Sequence, residues 1–324
     1  MILSVVVPTM NKVGLLERTL AALQGQDLGR PDPWEVVVVD DGSTDGTAAF
    51  LAGLEFPGWP SLLVVRPSSN VGRARARNLG ARAAQGRWLV FLDDDIVAPP
   101  GLLAAHLALL EAHPGCGTIG YAVTDPSLVD APHFHYLDTR GVAKLDAGPA
   151  PARFFVTQNA AVPRKAFMDV GGFDEKFSAY GFEDMEVAFR LEDEAAVTFH
   201  VLTLPVPVHV HHHTLAQYLG KKVECGRHSL RLLARLHPQR LHEMRLHHVI
   251  DVPGTRPTWR TRMLRAFCDS PVGRAFPAWL GRWPTVGTGQ PRGAGLYLRL
   301  MNLAMLCCFR QGLTAADVPV EKTE

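Results

Sequence analysis

The sequence predicts an α/β fold: a mixed, mostly parallel sheet with helices on both faces, followed by a helical C-terminal extension. Three observations carry this. Apolar runs recur at residues 3–7, 36–39, 62–65 and 88–92. Helical periodicity fills the gaps between them. Two of the runs end in carboxylates, Asp40-Asp41 and Asp93-Asp94-Asp95. Ligands of open α/β sheets bind outside the carboxyl ends of the strands, so polar clusters there mark the place to look for a site.

Taken in order, residues 3–7 read as a buried strand stopped by Pro8. Residues 13–24 have helical spacing through Leu15, Leu16, Leu20 and Leu23. Residues 36–39 are a second strand, after which Ser43 or Thr44 caps a helix reaching Leu54. Residues 62–65 form a third strand. Asn70-Val71-Gly72 leads into a helix to about Gln85, and residues 88–92 are the fourth strand. Residues 101–112 read as a helix, and a strand is expected over 118–123. Residues 124–152 are rich in Pro, Asp, His and Gly and read as a long loop of the kind that serves as a lid. A helix is expected from Glu183 to Glu194, a strand over 197–210, and an amphipathic basic helix over 215–236.

The chain has 324 residues, 47% hydrophobic and 20% charged, as in an ordinary globular protein. A net charge of +1 points to no polyanionic partner. Five cysteines without a CxxC pair argue for a reducing, cytoplasmic compartment and against a disulfide framework or zinc ribbon. A strand at the very start, without a basic leader, argues against a signal peptide. The longest apolar stretch, residues 294–309, is interrupted by Arg299 and falls short of the roughly 20 residues that span a bilayer.

Three consecutive aspartates repel one another unless a cation or donors sit among them. At a strand end, hard oxygen ligands suit Mg or Mn with substrate phosphates completing the shell. The same residues also suit a solvated acidic turn. Asp40-Asp41 offers an acceptor for a pyrimidine N–H, or simply a turn and cap. Arg73 and Arg77 share a helix face near an N-terminus, which suits phosphate or a solvated basic face. Asp184 sits early in a helix whose dipole keeps it ionised, as a general base requires and as dipole complementation alone would produce. In a strand, His209, His211 and His213 would share one face beside His212, and imidazole suits Mn better than Mg.

Together these segments resemble family 2 inverting glycosyltransferases of the GT-A fold. The matching residues are SVVVPTMNK (4–12), VVVVDDGSTDGT (36–47), the stretch from Asn70 to Asp95, and VGGFDEKFSAYGFEDMEVAFRL (170–191). The last is similar to the acceptor motif of galactosyl- and chondroitin-type transferases, usually Gly-Gly-Glu-Asp. Here Phe182 replaces the second glycine. The resemblance implies a nucleotide diphospho-sugar fold with Pro8, Thr9, Asn11, Asp40, Asp41, Arg73 and Arg77 around the nucleotide. It implies that Asp93 and Asp94 contact ribose or donor sugar, and that Asp95 ligates Mn or Mg with help from Asp93. A histidine completes the shell, His211 by preference and His209 second. It makes Asp184 the catalytic base and Glu183 the acceptor-holding group. The donor is expected to be a UDP-sugar and the acceptor a saccharide or lipid-linked saccharide, in polysaccharide or glycoconjugate synthesis.

The expected catalytic domain is 1–213, with a nucleotide half to about 123 and an acceptor half beyond. Residues 214–324 fall outside the resemblance. There, residues 256–310 carry nine arginines, no lysine and one acid, Asp269. Interleaved with Trp259, Trp279 and Trp283, these suit either a helical cap or contact with an anionic membrane surface. Nucleic acid is not expected as a partner. The alternatives are a sugar-phosphate nucleotidyltransferase, disfavoured because PTMNKVG (8–14) is not a Gly-rich basic loop, and a non-catalytic nucleotide- or carbohydrate-binding module.

Overall fold

Continuous Val, Leu and Phe runs bury both faces of a strand, and the chain uses them for its central strands. A computed structural model describes residues 1–54, 61–211, 213–286 and 289–315. The first elements are β1 (Leu3–Thr9), α1 (Val13–Gln24), β2 (Trp34–Asp40), α2 (Thr47–Ala52), β3 (Leu62–Val65), α3 (Arg73–Ala83) and β4 (Trp88–Leu92). Then come β5 (Ile96–Val97), α4 (Leu102–Ala112), β6 (Gly117–Ile119), β7 (Val123–Thr124), α5 (Pro132–Asp138), β8 (Gly148–Ala150) and β9 (Asn159–Pro163). They are followed by α6 (Arg164–Asp169), α7 (Glu183–Ala195), β10 (Phe199–Val201) and β11 (Val208–His209).

The chain divides into two compact units. The first comprises residues 1–127, 138–175 and 187–211; the second comprises 128–137, 176–186 and 212–324. The expected division at 213/214 therefore leaves out two segments, 128–137 and 176–186, that group with the C-terminal helices.

In the first unit an eight-stranded sheet runs β3-β2-β1-β4-β9-β6-β10-β8. The β3, β2, β1 and β4 strands are parallel, whereas β9 is antiparallel to both β4 and β6. Valines of β1 and β2 face α3 so closely that a Cβ on Gly80 would lie 2.5 Å from Val6 Cγ1. A second, small sheet, β5-β11-β7, joins three two-residue strands.

Four expectations change. The third strand is the sheet edge, so Leu63 and Val64 are exposed rather than buried. Residues 124–152 are not one loop: they hold α5, β8 and short 3₁₀ turns, and Phe134 and Tyr136 bury themselves from α5. The 197–210 strand breaks into β10 and β11 around Leu204-Pro205. The long basic helix bends at His228 into α8 (Leu215–Arg227) and α9 (Ser229–Leu236).

Helix α8 starts on a Thr214 capping box with Gln217. The second unit continues with α10 (Trp259–Asp269), α11 (Pro271–Trp279), a hairpin of β12 (Thr285–Val286) and β13 (Gln290–Pro291), and α12 (Ala294–Thr314). Gly312 of α12 meets α8 at backbone distance: a Cβ there would stand 2.0 Å from the Val223 carbonyl oxygen. The five cysteines are buried thiols. No described helix is long and apolar enough to cross a membrane.

Candidate active site

The parallel register brings the carboxyl ends of β1, β2 and β4 side by side. Thr9 pairs with Asp40, and the Asp41 amide donates to the Thr9 carbonyl at 2.9 Å. The Thr9 hydroxyl donates to Asp94 Oδ2 at 2.7 Å. Lys12 places its ammonium between two buried carboxylates, 2.9 Å from Asp94 Oδ1 and 2.9 Å from Asp95 Oδ2. Burial alone would lower the Lys12 pKa, but the two aspartates hold it above its ordinary value. Asp94 is pushed up to about 6, chiefly by burial, with Lys12 opposing. Asp95 is also buried, yet His209 and Lys12 hold its carboxyl well below the usual range.

Asp95 Oδ1 is buried and accepts no hydrogen bond. His209 Nε2 stands 3.3 Å from it, at ion-pair distance without hydrogen-bond alignment. The small sheet causes this: β11 sets His209 opposite Ile96 of β5, and the Val210 amide donates to the Asp95 carbonyl at 2.9 Å. An unsatisfied carboxylate oxygen beside an imidazole nitrogen is a donor set that fits Mn or Mg completed by substrate phosphates. No group of three or more His, Cys, Asp or Glu able to hold a metal occurs among the described residues. His211 lies past the end of β11, its ring 6.3 Å from that of His209. His213 belongs to the second unit, where its Nε2 is 3.0 Å from Lys221 Nζ. The strand ends at His209, so the expected three-histidine face does not form. His212 lies outside the described residues.

Arg77 is buried and donates from Nη2 to Asp93 Oδ1 at 2.9 Å, with its guanidinium 5.9 Å from the centre of the Phe173 ring. Arg73 opens α3 and is exposed. Asp41 accepts backbone N–H groups on both oxygens, from Val71 at 2.7 Å and Gly72 at 2.9 Å. Asp40 turns inward, accepting from the Ser43 amide, with Arg66 3.4 Å from its other oxygen. Asn11, at φ 52°, accepts from the Thr44 amide at 2.7 Å, and its own amide donates to Ser43 Oγ. Ser43 and Thr44 are thereby used against Asn11, and α2 starts instead at Thr47 after Gly46. Pro8 completes this end of β1 opposite Val39.

In the second unit, Glu183 and Asp184 open α7, Glu183 buried and Asp184 half-buried. Gly181 and Phe182 precede them with φ of 91° and 71°. A phenylalanine in the left-handed region is a strained residue. Its ring lies 5.7 Å from that of Phe309.

A family model described as glycosyl transferase family 2 matches residues 4–171, and one described as the N-terminal domain of galactosyltransferase matches 147–213. The chain belongs to glycosyl transferase family 2. A validoxylamine A glucosyltransferase of Streptomyces hygroscopicus subsp. limoneus is 36% identical over 217 residues, which cover 59% of this chain and 48% of that one. The chain thus spans about half the length of that relative. Two solved structures share the fold. The mannosyltransferase PcManGT from Pyrobaculum calidifontis in complex with GDP-Man and Mn2+ superposes with a TM-score of 0.56 at 20% identity, covering 95% of this chain and 86% of that one. S. aureus TarS 1-349 in complex with UDP gives 0.55 at 16%, covering 97% and 90%.

For this family 2 chain, the first unit brings together Thr9, Asp94, Asp95 and His209, and separately Arg77 with Asp93. The residue that site selection from sequence missed is Lys12, which is the cation among the aspartates. Its signal was the repulsion within Asp93-Asp94-Asp95, which demanded one. Asp45 was also missed: it accepts the Val13 amide at 3.0 Å and so fixes the start of α1 behind Lys12.

Proposed function

We propose that this chain transfers a sugar, with inversion, from a nucleotide diphospho-sugar to a hydroxyl of a saccharide or lipid-linked acceptor. Residues 1–213 are read as the catalytic part and 214–324 as an extension. The observation that carries the reading is the Asp93–Asp95 cluster at the parallel strand ends, with Arg77, Lys12 and His209 set on it. In this reading Asp184 takes the proton of the acceptor hydroxyl as that oxygen attacks the anomeric carbon from the face opposite the leaving diphosphate. One displacement breaks the sugar–phosphate bond and inverts the centre. Glu183 holds the acceptor. Asp41 accepts a base N–H, and Arg77 fixes Asp93 toward the ribose or donor sugar. A divalent cation held by Asp95 and a histidine, His209 on this geometry, would neutralise charge on the departing diphosphate. A UDP donor is favoured by resemblance and by the UDP complex of TarS. The GDP-Man complex of PcManGT keeps guanosine in the panel.

The test is a thermal-shift panel of UDP, GDP, ADP and dTDP with and without Mn. A ligand at a hundredfold excess over its dissociation constant stabilises by about 2.7 kcal/mol. We expect one nucleotide to shift the transition only with Mn, and Asp95→Ala to abolish the shift. Asp184→Asn is expected to keep that shift and to lose turnover by about a hundredfold or more. Retained turnover in Asp184→Asn overturns the assigned base. No shift with any nucleotide would favour the binding-module reading.

Membrane contact rests on a separate observation. Trp259, Met263, Val272 and Trp279 are exposed by 70%, 65%, 69% and 53% on α10 and α11. They stand among exposed Arg260, Arg262 and Arg274. An apolar, arginine-flanked surface suits an anionic lipid headgroup layer.

A further inference from the structure

We propose that a basic pocket beside the acceptor motif binds a phosphate or diphosphate ester carried by the acceptor. The pocket lies wholly within the second unit and has a volume of about 260 Å³. Lys176, Arg227, Arg231 and Arg235 line it, and no carboxylate does. The three arginines repel one another across so small a space, and an anion between them would offset that repulsion. The Nε groups of Arg227 and Arg231 are buried and donate to nothing. A buried donor without an acceptor is costly, and turning either guanidinium onto a phosphate oxygen in the pocket would remove that cost. Arg231 is fixed from behind, its Nη2 donating to the Leu313 carbonyl at 2.6 Å. The volume is enough for a phosphate or diphosphate group.

The pocket's other wall is residues 176–179, which lead directly through Tyr180 to Gly181, Glu183 and Asp184. Tyr180 is pinned to the arginine-bearing helices. Its amide donates to Glu224 at 3.0 Å, and its carbonyl accepts from Cys225 Sγ and Ser229 Oγ at 3.0 Å each. A charge seated between the arginines is therefore fixed relative to the chain that carries the acceptor carboxylates. That is the reason to assign it to the acceptor, and the assignment rests on reading Asp184 and Glu183 as the acceptor groups.

The test is calorimetric titration of the full chain with inorganic pyrophosphate, geranyl diphosphate and geraniol. EDTA is present throughout, so that no divalent cation holds a diphosphate at Asp95. Both diphosphates are expected to bind and geraniol is not. Arg227→Gln and Arg231→Gln should each weaken diphosphate binding roughly tenfold or more, the scale of one charge-assisted hydrogen bond. Arg235→Gln alters an exposed side chain, so it should keep the wild-type melting temperature and still bind more weakly. Equal affinities for the two diphosphates assign the pocket to the phosphates alone, and tighter geranyl diphosphate adds a lipid chain. Absent binding, binding undiminished in all three arginine variants, or geraniol binding as tightly as its diphosphate overturns the proposal. Asp184→Asn separates the two readings: it should bind both diphosphates as the wild type does. If it also keeps its turnover, the base assignment fails while the pocket stands on the titrations.

Discussion

His106 is wholly buried and shows how one side chain sets an acid limit. Its Nε2 is 2.8 Å from Asn159 Oδ1, which can only accept, so that nitrogen carries the proton and Nδ1 accepts from the Thr118 hydroxyl at 2.6 Å. Burial pushes its pKa down from 6.5 to about 4. The unfolded chain therefore takes up a proton that the folded chain refuses. Stability is full above about pH 6.5 and is lost by about 3 kcal/mol as pH falls to about 4. Denaturant titrations across that range should show the loss, and His106→Gln should flatten it. An unchanged slope would place the acid limit elsewhere. Phe182 makes a second residue-scale prediction. At an ordinary position glycine is less stabilising than alanine, but at φ 71° the order reverses. Phe182→Gly is expected to be more stable than Phe182→Ala by about 1 kcal/mol. At this scale the aspartate cluster was legible because three adjacent charges are rare at a strand end. Lys12 was not, since an isolated lysine looks like any solvated one until its partners are placed.

Helix α3 carries Arg77 toward Asp93, and its distance from the sheet is set by Gly80. Alanine has the higher helix propensity by about 1 kcal/mol. Overpacking against Val6 and Val39 opposes that with about 1–3 kcal/mol. Gly80→Ala is therefore expected to lower stability in chemical denaturation, and a gain would mean that the valines yield freely. Gly312→Ala meets backbone rather than a side chain and should cost more. Elements with strong periodicity, such as α1 and β4, were readable from the chain itself. The 124–152 segment was not, because α5 is short and its burial of Phe134 and Tyr136 comes from packing that composition does not encode. The break at His228 was hidden for the same reason, since the apolar pattern continues through it.

On the scale of the whole molecule, the parallel half of the sheet follows from alternating strand and helix signals. The antiparallel insertion of β9 between β4 and β6 depends on pairings across long stretches of chain. The C-terminal surface yields a prediction at this scale. Co-sedimentation with vesicles of anionic phospholipid is expected for the full chain, to weaken with salt, and to fall several-fold in a Trp259→Ser/Trp279→Ser double variant. Equal sedimentation with neutral vesicles, or an unaffected double variant, would assign those tryptophans to another contact.

The pairing of Asp95 with His209 has a consequence for how the chain is made. At roughly 5–20 residues per second, about 6–23 s separate the emergence of the two residues from a ribosome. Lys12 precedes both. The nascent chain therefore exposes its aspartates with their lysine counter-charge already synthesised and their imidazole still to come, and the donor pair that suits a cation is completed only after most of the first unit has been translated.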